Sequence, residues 1–275
     1  MNKTPNKNEQ TMPQYLYHYT SIDTLALILR DKKIKFTPLT DLDDLEEKHL
    51  KDAQQYGKYV YISSWTEDSM ESIPMWNMYA GLDSGVRIKM PSMPFEQYSV
   101  SSDVVINAVP KQVLDFYKTR NAEIEEYLDD VSGPYYIIKH MPRLYKINYV
   151  ENIDDNKNVF DIPINYKLEE KLTHIGRDKR IFWDFQKEWR YILILLPVKF
   201  KTDEKKYNQN IADNLFFYFP FKYYYLLLNN DTFLKMEIVL SPRISEGNRA
   251  IVNLLKEKYN PGMKIIESKL RGNLR

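Results

Sequence analysis

Short runs dense in aromatic and β-branched residues stand toward both ends of the chain, with segments of helical apolar spacing between them. This distribution constrains the fold more than any other feature. Near the amino end QYLYHYT, KIKFTPL, KYVYISSW and GVRIKM have the alternation or residue types of strands. Toward the carboxyl end EWRYILILLP, FFYFPFKYYYLLL, KMEIVLSP and MKIIESKL are equally rich in β-formers, and RLYKINYV predicts one more strand. Ser21 stands where a helix cap belongs, and Ile22, Leu25, Ile28 and Leu29 follow at helical spacing. DLDDLEEKHLKDAQQ predicts an acidic loop running into a helix, and MESIPMWNMYAGLDSG a short helix stopped by Gly81. A longer helical stretch places Val113, Phe116, Tyr117, Ile124 and Leu128 on one face, within an insertion around 103–142. Two further helices are predicted over INYKLEEKLTHIG and SEGNRAIVNLLKEKY. Strands contributed by distant segments, with helices between, predict an α+β fold with one mixed sheet. The expected organisation is a disordered tail over 1–12 and a single domain over 13–275.

Composition narrows the function classes. Hydrophobic residues make up 43% and charged residues 28%, which is enough apolar material for a packed core without a partner. The net charge of +1 supplies no global field toward nucleic acid or an anionic membrane. With no cysteine, disulfides and thiolate zinc sites are excluded, and a reducing cytoplasm is the expected setting. Residues 1–12 lack the apolar stretch of a signal peptide, and the most apolar windows, YILILLP and YYYLLLN, fall far short of a membrane helix, so no membrane association is expected. Only 8 glycines are present, and neither a P-loop nor a GxGxxG turn is among them, so any nucleotide is expected to be held differently. The histidines at 18, 49, 140 and 174 have no metal-binding spacing, the acidic turn lacks the plan of a calcium loop, and no metal is expected.

Three constellations can carry chemistry. In YLYHYTS, alternation puts His18 and Thr20 on one face of a strand end and Tyr17 and Tyr19 on the other. A neutral imidazole can donate to a ribose hydroxyl while a threonine adds a second polar contact; the alternative is a hydrogen-bonded core histidine. In MWNMYAG, helical spacing sets Met75, Met78 and Tyr79 on one side and Trp76 and Ala80 on the next. Tyr79 offers a flat face to a heteroaromatic ligand, while packing is the alternative for the whole turn. In KRIFWDFQKEWRYI, Gln186 and Glu188 flank one residue at the start of a strand. A carboxylate there can stabilise the cation that forms as a glycosidic bond breaks, and the neighbouring amide can orient a nucleophile. The alternative is that Glu188 pairs with Arg190 or Lys179.

These segments carry a resemblance. The succession YHYTSIDTLALIL, DLDDLEE, SSWTEDSMESIPMWNMYAGLDSGVRIKM and KRIFWDFQKEWRYI, within residues 15–270, resembles the bacterial family catalogued as domain of unknown function 2971. That family shows an HYT strand, an NDPFE-like turn, an MWxxYA helix and a WxxExEWR strand. Two positions depart from the pattern: the acidic turn reads Asp43, Asp44, Leu45, Glu46, Glu47, and Gln186 replaces the first acid of the last motif. More remotely the elements are similar to the diphtheria-toxin-like branch of the ADP-ribosyltransferase superfamily. That resemblance implies a split or mixed sheet core with flanking and inserted helices, and NAD as substrate. It implies Glu188 and Gln186 as catalytic residues, and His18, Tyr19, Thr20, Tyr79 and Trp76 as cofactor-binding residues. His18 and Thr20 would meet the adenosine-side ribose, Tyr79 the nicotinamide, and Glu188 the nicotinamide-ribose 2′-hydroxyl, with ADP-ribose passing to a protein, nucleic acid or small-molecule acceptor. A toxin or phage-defence role is the corresponding expectation. A noncatalytic module that binds nucleotide or a partner on the same fold is the second reading. Nucleic-acid binding through YKTR, IGRDKR and SKLRGNLR is a third, weighed against solvated charge runs.

Overall fold

The computed structural model describes residues 11–96, 135–137, 141–154, 168–198 and 222–274. The tail 1–10 and most of the expected helical insertion at 103–142 lie outside the described residues. The described part is α+β, with a mostly antiparallel open sheet and several helices.

The amino-terminal elements follow the sequence pattern closely. Strand β1 (Tyr15–Ser21) runs directly into helix α1 (Ile22–Asp31), where the Ser21 side chain accepts from the backbone N–H of Thr24. Ile22, Leu25, Ile28 and Leu29 are all buried. Each contributes on the order of 1.5–3 kcal/mol against exposure, which is what holds a ten-residue helix that would not persist alone. Lys32 ends it in the left-handed region, and β2 (Lys33–Pro38) follows. The acidic segment forms two short helices, α2 (Leu45–His49), capped by the Asp44 carboxylate, and α3 (Lys51–Tyr56). Strands β3 (Val60–Thr66) and β4 (Gly85–Pro91) come next.

The remaining strands come from far along the chain. They are β5 (Tyr135–Ile137), β6 (Arg143–Lys146), β7 (Asn148–Val150), β8 (Asp178–Arg180), β9 (Glu188–Ile194), β10 (Leu196–Val198), β11 (Tyr224–Leu227), β12 (Glu237–Leu240) and β13 (Lys264–Ile266). Four of them, β5 with β10 and β7 with β8, form separate two-stranded sheets. Among the described residues nine strands form one sheet in the order β11-β2-β3-β1-β4-β12-β13, with β9 on β3 and β6 on β9. The β12–β13 pairing is parallel and the others in this sheet are antiparallel. RLYKINYV, expected as one strand, is two. β6 pairs with β9 and β7 runs parallel to β8, because Ile147 turns into the core between them and donates its N–H to the Glu188 carbonyl at 3.0 Å.

The position that matters for function is β3. One edge is covered along its length by β9, from Val60 opposite Ile194 to Thr66 opposite Glu188. The other edge is shared: β2 pairs at Tyr61 and Ile62, and β1 pairs at Thr66. The sheet therefore forks between β1 and β2, and residues 63–65 face the opening. Opposite the opening, the segment after β3 forms a single turn, Ile73–Met75, that continues as a π-helical turn, Trp76–Ala80, with Gly81 N–H donating to the Trp76 carbonyl at 2.7 Å. The helix expected here is thus shorter and wider, and it ends at Gly81 as anticipated, with φ at +81°.

Candidate functional site

A cavity of about 300 Å³ occupies the fork. Its walls come from β1 (Tyr17, His18, Tyr19), β3 (Ser63, Ser64, Trp65), the acidic segment (Asp43, Asp44, Glu47), the π turn (Tyr79) and the stretch from Lys179 to Arg190.

His18 spans the fork. Its Nδ1 lies 2.9 Å from the Ser64 carbonyl, on the stretch of β3 that neither β1 nor β2 pairs. A carbonyl only accepts, so Nδ1 carries the proton. Burial lowers the imidazole pKa, partly offset by this hydrogen bond, and the ring is neutral with Nε2 as an acceptor. The donor expected for a ligand is thus spent on the backbone, and the cavity receives an acceptor instead. The ring packs 5.0 Å from Trp65.

Tyr19 is also on the wall, but it is 4% exposed and its hydroxyl accepts from Ser72 N–H at 3.0 Å and from Arg87 at 3.5 Å. Thr20 and Trp76 stand outside the cavity wall. Thr20 is buried beyond the fork. Trp76 is fully buried, packs edge-on against Tyr19 at 4.9 Å, and donates from Nε1 to Glu71 at 3.1 Å. Its indole is a core side chain, with the ring packed on Tyr19 and the donor engaged by Glu71.

Gln186 ends a 3-10 turn, Ile181–Gln186, and Glu188 begins β9. Between them Lys187 adopts the left-handed region at φ 41° and turns its ammonium away to Asp68, 2.8 Å distant. That single left-handed residue is what allows Gln186 and Glu188 to reach the same cavity. Lys179 Nζ donates to Gln186 Oε1 at 2.8 Å and to Glu188 Oε2 at 3.1 Å. Gln186 Nε2 donates to the Tyr79 hydroxyl at 2.6 Å. Arg190 donates from Nε to Glu188 Oε1 at 2.7 Å, and from Nη2 to Glu188 Oε2 at 3.2 Å. The same guanidinium forms a bidentate pair with Glu47 and donates to the Gly176 carbonyl at 2.8 Å.

Glu47, Arg190, Glu188 and Lys179 thus form a buried chain of alternating charge that sums to zero, continued by Gln186 to Tyr79. Burial opposes ionisation of Glu188, but the charges of Arg190 and Lys179, with hydrogen bonds from Arg190 and the Ser64 hydroxyl, outweigh it and hold the carboxyl at about 2. Burial likewise opposes the Arg190 charge, and the two carboxylates outweigh it and raise its pKa. Burial opposes the Glu47 charge, and the Arg190 guanidinium favours it. Burial lifts the Tyr79 phenol to about 12, helped by the charges of Glu188 and Asp43. Both alternatives weighed for Glu188, pairing with Arg190 and with Lys179, are present, and both pairs face the cavity.

The sequence reading gave Lys179 no role beyond pairing with Glu188, gave Glu47 none, and passed over Trp183, whose ring lies 4.9 Å from the Lys179 ammonium. A signal for Glu47 existed: an arginine inside the apolar run EWRYILIL requires carboxylates, and DLDDLEE supplies one. Among the described residues no group of three histidine or acidic side chains is placed to hold a metal, and no helix is long and apolar enough to cross a membrane. Comparison with family models, with curated proteins and with solved structures finds no match to this chain.

Proposed function

We propose that the chain is an NAD-dependent ADP-ribosyltransferase-like protein, related to the bacterial family of domain of unknown function 2971. In this reading it cleaves the bond between nicotinamide and ribose and passes ADP-ribose to an acceptor. One observation carries it: His18, Tyr79, Gln186 and Glu188, from three segments remote in the chain, meet on one cavity at the fork of the sheet. The forked edge of β3 supports the split-sheet core that the resemblance implies. The unprotonated Nε2 of His18 accepts from a ribose hydroxyl. The ionised Glu188 accepts from the nicotinamide-ribose 2′-hydroxyl and opposes the positive charge that develops at the anomeric carbon. The C–N bond breaks with its electron pair leaving on neutral nicotinamide. An acceptor nucleophile then bonds to the anomeric carbon and releases its proton to solvent water, with the Gln186 carboxamide orienting the approach.

Nicotinamide release from NAD tests the reading. Wild type is expected to release it, and Glu188→Gln, which keeps the shape of the side chain, to lose on the order of a hundredfold or more in rate. Equal rates would remove the carboxylate from the chemistry. A second reading, a noncatalytic nucleotide- or partner-binding module, is favoured by one feature: both Glu188 oxygens are already engaged by cations. Calorimetry that finds NAD binding with no turnover would support it.

A further inference from the structure

Donor and acceptor bookkeeping along the cavity wall has a consequence for Tyr79. The Lys179 ammonium can only donate, so the Gln186 atom 2.8 Å from it is the amide oxygen. The amide nitrogen is thereby turned to Tyr79, 2.6 Å away. An amide nitrogen donates and does not accept, so the phenolic oxygen receives that bond and its own hydrogen is unspent. Among the described residues the Tyr79 hydroxyl has no second partner, and Tyr79 lies on the cavity wall.

We propose that Tyr79 serves this cavity by donating its hydroxyl proton to an oxygen acceptor on the ligand, and that Lys179 is the positioning residue that keeps the proton free by locking the Gln186 amide. The inference rests on the NAD reading above, where the acceptor is the carbonyl oxygen of the nicotinamide carboxamide. The phenol stays protonated through the physiological range, because burial and the neighbouring carboxylates lift its pKa to about 12. This role differs by one atom from the ring stacking that the resemblance implies, and Tyr79→Phe separates the two because it keeps the ring.

The experiment is isothermal titration of wild type, Tyr79→Phe, Lys179→Met and the double variant with NAD and with ADP-ribose, which lacks nicotinamide. Tyr79→Phe is expected to bind NAD about five- to tenfold more weakly, the worth of one neutral hydrogen bond, and ADP-ribose within about twofold of wild type. In Lys179→Met the amide is free to turn its oxygen to the phenol, so adding Tyr79→Phe is expected to change NAD affinity no further. Equal NAD affinity of wild type and Tyr79→Phe overturns the donor role while leaving the NAD site standing. Equal losses for NAD and ADP-ribose overturn the contact with nicotinamide. A full Tyr79→Phe loss in the Lys179→Met background overturns the positioning role of Lys179. No NAD binding by wild type overturns the NAD reading and this inference with it. If Lys179→Met does not fold, the Tyr79→Phe comparison still decides the donor role.

Discussion

Glu47→Gln tests the physical basis of the site away from its reacting atoms. The Glu47 and Arg190 side chains are each 1% exposed, Glu188 is 5% and Lys179 is 7%, so the four charges have almost no water to fall back on. Two carboxylates now balance two cations. Replacing Glu47 by its neutral isostere leaves one uncompensated positive charge in the same volume. Breaking a buried pair in this way costs about 3–5 kcal/mol. For a chain of this length each kcal/mol lowers the melting temperature by roughly 2–4 °C, so a fall of roughly 6–20 °C is expected. Scanning calorimetry measures it, and urea unfolding followed by the fluorescence of core residues Trp65 and Trp189 provides a second determination. The double variant Glu47→Met, Arg190→Met removes one charge of each sign, leaves Glu188 paired with Lys179, and is expected to be no less stable than Glu47→Gln alone. A loss below about 1 kcal/mol for Glu47→Gln, the worth of a surface ion pair, would refute the account of the network as a desolvated, charge-balanced unit.

Two further outcomes follow from the same geometry. The Glu188 carboxyl is held from 4.5 down to about 2, which corresponds to about 3 kcal/mol of folded-state stability. That contribution is complete above about pH 5 and is lost as pH falls toward 2. Wild type is therefore expected to lose stability to urea as pH drops through this window; a flat midpoint would contradict the depressed Glu188. Gly85 presses on the turn that carries Tyr79: a Cβ there would lie 2.2 Å from the Ala80 carbonyl oxygen and 2.5 Å from the Ala80 Cβ. Gly85→Ala is expected to cost about 1–3 kcal/mol by displacing that turn; an unchanged melting temperature would show that the turn is not seated on β4.

Much of the architecture was legible because it depends on local rules. The Ser21 cap, the apolar face of α1, the Ser245 cap of the helix Glu246–Tyr259 and most strands follow from side-chain period and turn chemistry within about ten residues. What was not legible were elements shorter than the period that would reveal them: β8, the turn Ile181–Gln186 and the helix Asn230–Leu234 have too few residues to show one. The break of RLYKINYV at Ile147 is set by the choice of two different partner strands, which no local pattern encodes.

The candidate site divides along the same line. The residue types of His18, Tyr79, Gln186 and Glu188 are properties of the sequence by itself, while the structure sets His18 at the middle of β1, Tyr79 and Gln186 in turns and Glu188 at the start of β9. Tertiary structure alone decided that Trp76 belongs to the core, that the imidazole of His18 gives its proton to Ser64, and that Glu47 reaches Arg190 across 143 residues of chain. The reason is that a charge or a donor has no role until its surroundings fix its solvation and its partner. Period and propensity choose which way a side chain leaves the backbone, whereas only the folded chain determines what it meets there.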